Sequence, residues 1–545
     1  MKKIAKFLIV LGMMGQLSSC DYLDIVPDER AQESDTWKTE GAVRGYLYSC
    51  YGYLPANRTF GNSYWLAEEL TAVTKELFTT FKYGYYSPVS LGFTSNTWST
   101  IWNGIHQCYM FQESLKQVSN EYVTDEMKKQ YLAESNFLIA YYHFLSMRSY
   151  GPTMIIRSVI DLETPISGFP ERSSIDEVVA FINEKLDEAM SEGGLPTTWS
   201  GKDYGRATRL AALALKSRVY LYAASPLYNG NTEMYADFRS PLDGRQLIAQ
   251  EKSQAKWEIS ATQTKYAIDE VEKAKFHLYH DADAGEPSDA KPGLPNKAQR
   301  RLRYTNIDNQ TGNNPEIIWA DTRNDDYYGI QRRCPPRQTL GGKFAGISMT
   351  NCPTLQTIEA FYTKNGLPIN KDKTFDYDER YEYINAPENC DGNNYEDLVK
   401  YANFTPSSDK VMRLCTDREP RFYAWTTYHN GYFEFGKYNN EEISADPAKR
   451  AIRIHLLRDD PHGRGNRTDQ EYSISGFGNK KGVVPSAEWN VIEYPFPLFR
   501  LAELYLNYAE ALVELDRLSE AKVYLDKVRE RAGIPSVDEA WDKYS

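Results

Sequence analysis

Two stretches of the chain combine aromatic rings with planar polar side chains. The first lies between two predicted helices, and its candidate binding residues are Tyr83, Tyr85, Tyr86 and Phe93. The second follows a strand-like run, and its candidates are Arg323, Asn324, Asp325, Tyr327 and Tyr328. Aromatic faces can stack on the apolar faces of pyranose rings, while amide, carboxylate and guanidinium groups can bond pairs of hydroxyls. These residue types therefore predict a binding site for a sugar-like ligand, and solvated loops or local packing are the alternative.

The sequence carries little that points to catalysis. Carboxylates are plentiful, but nothing in the sequence places two of them at the separations of about 5 or 9 Å that glycoside hydrolysis uses. The motifs GxSxG and HExxH do not occur. We therefore predict no catalytic residue, no cofactor and no metal site, and we expect that the protein is not an enzyme. The net charge of -12 also argues against nucleic acid as a partner, because neutralising phosphates needs a basic face.

The first nineteen residues are typical of an export signal. Three lysines precede an apolar run from Phe7 to Met14, which is too short to span a membrane permanently. The following Leu17-Ser18-Ser19-Cys20 resembles a bacterial lipobox, in which the cysteine is acylated and the peptide is cut before it. We therefore expect residues 1–19 to be a lipoprotein signal peptide and Cys20 to be the lipid anchor of a protein held at a membrane.

Helical periodicity dominates both ends of the chain. The central segment is Tyr131–Gly151, where apolar residues cover most of the helix circumference and Gly151-Pro152 ends the helix. The remaining predicted helices lie near 62–78, 96–121, 124–150, 173–190, 205–225 and 252–275, with a closing helix pair at 498–533. From about 300 to 490 the periodicity weakens, which predicts a long irregular excursion with short strand-like pieces such as 315–321 and 421–429 and a surface turn at 476–482.

The cysteines leave several possibilities open. Cys50 and Cys108 lie in apolar helical patterns, and we expect them to be small buried hydrophobic residues. Cys334 with Cys352, or Cys390 with Cys415, could each close a loop in an exported protein. The sequence does not decide between free thiols and these bridges.

Taken in order, several segments resemble the SusD/RagB family of outer-membrane lipoproteins of Bacteroidota. The similarity runs from residue 20 to 535, so it covers nearly the whole mature chain. The segments that carry it are CDYLD at 20–24, WKTE at 37–40, WSTIWN at 98–103, 134–152 with its YYHFLSMRSYGPT core, PERSSIDEV at 170–178, 205–222, NNPEIIWAD at 313–321, 353–369, DREPRF at 417–422, 499–515 and VRERAGIP at 528–535.

The resemblance implies an all-α fold built on a scaffold of tetratricopeptide-like helix pairs, with irregular segments that carry the ligand site. It divides the chain into an N-terminal helical region at 20–280 and a C-terminal region at 281–545, packed as one compact unit. Loops at the two places described above commonly supply ligand contacts in the family. Family members continue beyond the helix that resembles VRERAGIP, whereas this sequence stops at Ser545, so we expect the C-terminal end of the scaffold to be truncated.

The resemblance also implies a function, a location and a partner. Such proteins lie on the cell surface over a TonB-dependent, SusC-like transporter in the outer membrane, bind oligosaccharides and pass them to it. The alternative within the family is peptide capture of the RagB type. Two other classes of protein stay open, a surface glycoside hydrolase and a pure interaction scaffold.

Overall fold

The computed structural model describes residues 37–55, 68–72, 93–161, 163–283, 297–308, 314–323, 329–336, 349–385, 410–434, 451–460, 462–465, 472–484 and 492–545. Helices form most of the regular structure in these ranges. They are α1 Glu40–Tyr51, α2 Phe93–Leu115, α3 Asp125–Tyr150, α4 Ile175–Ala189, α5 Arg209–Ala224, α6 Thr232–Tyr235, α7 Gln254–Lys273, α8 Lys297–Ile307, α9 Ile330–Arg333, α10 Leu355–Ala360, α11 Pro420–Trp425, α12 Leu501–Glu514, α13 Leu518–Ala532 and α14 Val537–Tyr544.

The strands are short and pair only two at a time in the described residues. They are β1 Leu70–Thr71, β2 Thr153–Met154, β3 Arg172–Ser173, β4 Ile317–Asp321, β5 Cys352–Pro353, β6 Tyr383–Asn385, β7 Lys410–Met412, β8 Thr426–Tyr428, β9 Tyr432–Glu434, β10 Ala451–Arg453, β11 Phe477–Asn479 and β12 Phe496–Arg500. All six pairs, β1 with β5, β2 with β3, β4 with β12, β6 with β7, β8 with β11 and β9 with β10, are antiparallel.

Helix α3 lies at the centre of the scaffold. The Thr124 side chain caps its first turn by accepting from the Met127 N–H, and Gly151 ends it with a positive φ of 72°. Every residue from Ala133 to Met147 is buried, because α2 packs on one side of the helix and α4 on another. The predicted all-round burial is therefore confirmed.

The scaffold is assembled from both ends of the chain. Helix α5 packs on α7, α7 packs on α12, and α12 packs on α13, so the last helices continue the stack that the N-terminal half begins. A single apolar core joins these elements and extends from Val43 to Ala521. Smaller apolar clusters lie beside this core. They are formed mainly by residues between α7 and β12, and one of them also contains Ala532 and Ile534.

The structure confirms the all-α, tetratricopeptide-like fold class and corrects several details. The predicted helix near 62–78 is wrong where it can be checked, since Leu70–Thr71 is a strand paired with Cys352–Pro353. The strand-like piece at 421–429 is in fact a short helix, α11, followed by strand β8. The surface turn expected at 476–482 begins with the buried strand β11.

Five cysteines lie in the described part of the chain, and all five are free and buried. Cys50 and Cys108 are fully buried, as predicted. The possible bridge between Cys334 and Cys352 is absent, and the Cys334 sulfur instead accepts a hydrogen bond from the Asn479 amide at 3.2 Å. Cys390 lies outside the described residues. Among the described helices, none combines the length and the apolar character needed to cross a bilayer.

Candidate functional site

One concave feature of the described residues is a cleft of about 600 Å³, here called the central cleft. It lies where the helical scaffold meets the irregular middle of the chain. Its scaffold wall comes from α3, α5 and β12, and its other wall comes from β1, α10, α11 and the turn after β11. The residues used below that line it are Glu69, Tyr141, Arg148, Arg218, Tyr222, Asn306, Thr357, Phe361, Trp425, Asn479, Lys481, Tyr494, Phe496 and Arg500.

Helical periodicity explains how the helices contribute to the scaffold wall. Tyr141 and Arg148 are seven residues apart on α3, which places them two turns apart on one face. Arg218 and Tyr222 are four apart on α5, which again gives one face. In β12 the register with β4 is irregular, and both Phe496 and Arg500 line the cleft. Three separate elements therefore present rings and cations to the same space.

The cations of the scaffold wall are held by partners. The Arg218 guanidinium donates to both carboxylate oxygens of Glu503 at 2.6 Å and stacks over the Phe499 ring at 4.1 Å. Arg500 donates to Glu316 at 2.7 Å. Such bidentate and stacked contacts fix a guanidinium in one orientation, so this wall is preorganised before any ligand arrives.

Lys481 faces the cleft from the turn after β11. Its ammonium lies 4.8 Å from the centre of the Trp425 ring, and no carboxylate of the described residues is within ion-pair distance. The side chain as a whole is exposed to solvent through the cleft. Desolvation of the ammonium by the cleft walls, reinforced by the positive charges of Arg500 and Arg421 and opposed by Glu69, lowers the pKa of Lys481 to about 8.

A second cleft, of about 270 Å³, contains the one predicted site residue whose side chain is described. Arg323 donates to both oxygens of Asp321, at 2.9 and 2.7 Å, and to the carbonyls of Leu54 and Pro55 at 2.8 and 2.9 Å. These bonds tie the chain after α1 to the end of β4. They occupy the guanidinium with protein partners, and a ligand role for Arg323 stays a prediction.

The other predicted residues cannot be placed in the same way. Phe93 is the first residue of α2, and its side chain is not described. The remaining ones lie outside the described residues: Cys20, Tyr83, Tyr85, Tyr86, Asn324, Asp325, Tyr327 and Tyr328. Glu69 and Leu70, which line the central cleft, belong to the same connection between α1 and α2 as the predicted tyrosine loop.

Sequence reasoning missed the rings and cations of the central cleft. Trp425, Lys481 and Tyr494 come from segments that looked like a strand, a surface turn and an irregular run. The residues that meet here run from Glu69 to Arg500, so no local spacing could have shown that they share one space. The sequence signal that could have pointed to the cleft is its composition: a Lys-Lys-Gly turn lies within a segment rich in aromatic residues.

Among the described residues, one group could hold a metal ion. It consists of His429, His455 and Asp460, whose ligand atoms lie within 4.8 Å of one another. However, His429 Nδ1 accepts from the Leu456 N–H at 3.0 Å, and Asp460 accepts from the Leu457 N–H at 2.9 Å. Two members of this group are thus already bonded to the backbone.

Comparison with known proteins identifies the class to which this fold belongs. A model described as the SusD family matches residues 315–545, and a SusD-like model described as starch-binding, associating with the outer membrane, matches residues 21–221. Together these matches cover most of both halves of the chain. The chain therefore belongs to the SusD/RagB family.

Solved structures agree with this assignment. BT4246 is 28% identical with a TM-score of 0.74, and the match covers 92% of this chain and 83% of that one. A SusD-like protein (BF3747) from Bacteroides fragilis NCTC 9343 is 20% identical with a TM-score of 0.65, covering 94% and 82%. A SusD-like carbohydrate binding protein (BF0978) from the same organism is 18% identical with a TM-score of 0.58, covering 92% and 80%. At 20% and 18% identity, the last two likenesses concern the fold alone. No curated protein matches the sequence.

Proposed function

We propose that this protein is a lipid-anchored, surface-exposed glycan-binding protein that captures oligosaccharides and delivers them to a TonB-dependent, SusC-like transporter of the outer membrane. The observation that carries the proposal is the central cleft. Aromatic rings and planar donors line a concave space on a rigid helical scaffold, in a chain of the SusD/RagB family.

The lining suits carbohydrate chemistry. Tyr222, Phe361, Trp425 and Phe496 offer apolar ring faces of the kind that pyranoses stack on. Asn306, Thr357 and Asn479 supply amide and hydroxyl groups that can pair with sugar hydroxyls. Because the scaffold already holds this wall in place, little ordering entropy is lost when a ligand binds. The mechanism is binding and hand-over, with no bond broken in the ligand.

Calorimetry on a soluble form that starts at Asp21 tests the binding step. We expect saturable binding of one class in a panel of plant, fungal and host oligosaccharides, weakened in Trp425→Ala because a stacked ring is lost. Trp541→Ala is the matched control, since Trp541 is exposed on α14 and does not line the cleft. Tyr85→Ala and Tyr327→Ala test whether the two predicted loops contribute. Far-UV circular dichroism verifies that each variant folds.

The same panel separates the alternatives. Binding of mixed peptides but not glycans would indicate peptide capture of the RagB type. Release of reducing sugar from an incubated polysaccharide would indicate a surface glycoside hydrolase. If the folded protein binds no glycan and no peptide of the panel, an interaction scaffold is the remaining alternative.

The anchor and the partner need separate experiments. Cys20→Ala should leave the protein unacylated and release it from the membrane fraction, because several acyl chains on one residue are needed for durable attachment. Retention of this variant in membranes would contradict lipid anchoring. Recovery of a TonB-dependent transporter with the tagged, acylated protein from solubilised outer membranes tests delivery.

A further inference from the structure

The central cleft differs in charge from the protein as a whole. The protein carries a net charge of -12, yet the described lining of the cleft holds four cations and a single carboxylate. The cations are Arg148, Arg218, Lys481 and Arg500, and the carboxylate is Glu69. A concave, positively charged site in an acidic protein attracts anions to that site, because low-dielectric walls concentrate its field.

Among the described residues, the carboxylates that pair with Arg218 and Arg500 leave part of this charge uncompensated. Arg218 is balanced by Glu503, but the Glu316 carboxylate that holds Arg500 also accepts from Arg531 at 2.5 Å. One carboxylate therefore serves two guanidinium groups, and a positive charge remains on this side of the cleft.

Lys481 adds a charge without a carboxylate partner among the described residues. Its ammonium rests on the Trp425 ring at 4.8 Å. A cation beside an aromatic face is the arrangement that a sugar bearing an acidic group would use, since the ring can stack on the pyranose while the ammonium bonds the anion.

We propose that the central cleft selects acidic oligosaccharides, whose carboxylate or sulfate groups bind Lys481 while a pyranose ring stacks on Trp425. This inference rests on the proposed glycan-binding function and names the chemical class of its ligand. Neutral oligosaccharides would bind more weakly, because they would form no charge-assisted hydrogen bond with Lys481.

The proposal has a consequence for pH. The charged groups around Lys481 are Arg500 on β12, Arg421 on α11 and Glu69 beside β1, and the Trp425 ring lies against it. Because its pKa is about 8, the lysine starts to lose its charge slightly above neutral pH. An anionic ligand binds the protonated form, so affinity falls as pH rises through 8, and binding near pH 8 takes up a proton.

The test is calorimetric titration of the soluble form with three probes of matched length: an oligogalacturonate, a sulfated galactan oligosaccharide and a neutral galactan oligosaccharide. We expect tighter binding of a carboxylate or sulfate probe than of the neutral one, and the two acidic arms show which anion the site takes. Lys481→Met should weaken the acidic probe about tenfold, the usual effect of losing one charge-assisted hydrogen bond. Lys371→Met makes the same change in net charge at an exposed position outside the cleft and should have no such effect.

The Lys481→Arg variant separates the titration of Lys481 from any structural role of its side chain. Arginine keeps its charge throughout this pH range, so this variant should bind the acidic probe without the decline above pH 8 and without proton uptake. Proton uptake is measured by repeating the titration in buffers with different ionisation enthalpies.

The outcomes distinguish this inference from the function on which it rests. Binding of the neutral probe as tightly as the acidic ones, or an unchanged affinity in Lys481→Met, overturns acidic selectivity and leaves glycan binding intact. Binding of acidic peptides with no response to any saccharide overturns both proposals and points to peptide capture. A folded protein that binds none of the three probes overturns acidic selectivity, and the broader oligosaccharide panel then decides whether glycan binding stands.

Discussion

The buried imidazole of His143 shows how single atoms determine a protonation state. His143 lies on α3 and is fully buried. Its Nδ1 is 2.7 Å from the Ile139 carbonyl, to which it must donate, and its Nε2 accepts from the Ile156 N–H at 3.3 Å. The two bonds together require the neutral ring with its proton on Nδ1. A second proton on Nε2 would face an N–H donor in a buried place.

We therefore predict that His143 makes the fold sensitive to mild acid. Burial lowers the pKa of His143 from 6.5 to about 4, so the unfolded chain binds the extra proton between these values while the folded chain does not. The free energy of unfolding should fall as pH drops from 6.5 to 4, by about 3 kcal/mol from this group. Urea unfolding at several pH values measures this slope.

Two variants isolate the contribution of His143 from that of the carboxylates. His143→Asn places an amide nitrogen near the position of Nδ1 and cannot titrate, so it should lower stability at pH 7 and flatten the slope. His106→Asn removes an exposed histidine on α2 and should retain the wild-type slope. Equal slopes for all three proteins would show that His143 is already protonated in the folded state or does not titrate.

At the scale of the element, close approach of α2 and α3 depends on a glycine. A Cβ added at Gly104 would lie 2.8 Å from the Tyr142 ring and 3.0 Å from the Tyr53 Cβ. The Tyr142 ring cannot easily retreat, because its hydroxyl donates to the Cys50 carbonyl at 2.6 Å and the ring is fully buried. The absence of a side chain at Gly104 thus lets α1, α2 and α3 pack around one ring.

We predict that Gly104→Ala destabilises the protein although alanine is the better helix former. The gain in helix propensity is about 1 kcal/mol, whereas overpacking a well-packed core typically costs about 1–3 kcal/mol. Gly45→Ala in α1 is the matched control, because no atom lies within 4 Å of the added Cβ, and it should raise stability by up to about 1 kcal/mol. Thermal unfolding should show shifts of opposite sign, and a stabilised Gly104→Ala would contradict the packing argument.

Sequence reasoning predicted the elements whose signals lie within a few neighbouring residues. Helix α4 lies within the predicted range 173–190, where Ser174 and Glu177 form a capping box at its start, and Gly151 ends α3 as predicted. The strand pairs were not predicted, because Leu70–Thr71 meets Cys352–Pro353 across a large separation in sequence. The central cleft was not predicted for the same reason, because its rings and cations meet only through tertiary packing. The aromatic loops, in contrast, were predicted from local composition.

At the scale of the whole molecule, Glu316 connects the middle of the chain to the scaffold. Its carboxylate is fully buried and accepts from Arg500 in β12, from Arg531 in α13 and from the Tyr279 N–H that follows α7. The Glu316 carbonyl also accepts from the Leu501 N–H at the start of α12. One residue therefore joins three parts of the chain that are far apart in sequence, on the side of the central cleft where Arg500 lies.

We predict that Glu316→Gln lowers the free energy of unfolding by about 3–5 kcal/mol, because two guanidinium groups lose their carboxylate and Arg531 is itself buried. Glu258→Gln is the control: Glu258 pairs with Arg517 at 2.8 Å, but both side chains are 47% exposed, and such surface pairs contribute about 1 kcal/mol or less.

Urea unfolding followed by both tryptophan fluorescence and far-UV circular dichroism measures the two variants. If the carboxylate couples the middle segment to the scaffold, the unfolding transitions followed by the two probes should coincide in the wild type. They should separate in Glu316→Gln, because the scaffold helices would then stay folded at urea concentrations that unfold the segment carrying part of the cleft. Coincident transitions with a loss no larger than that of Glu258→Gln would mean that the apolar core alone joins these parts.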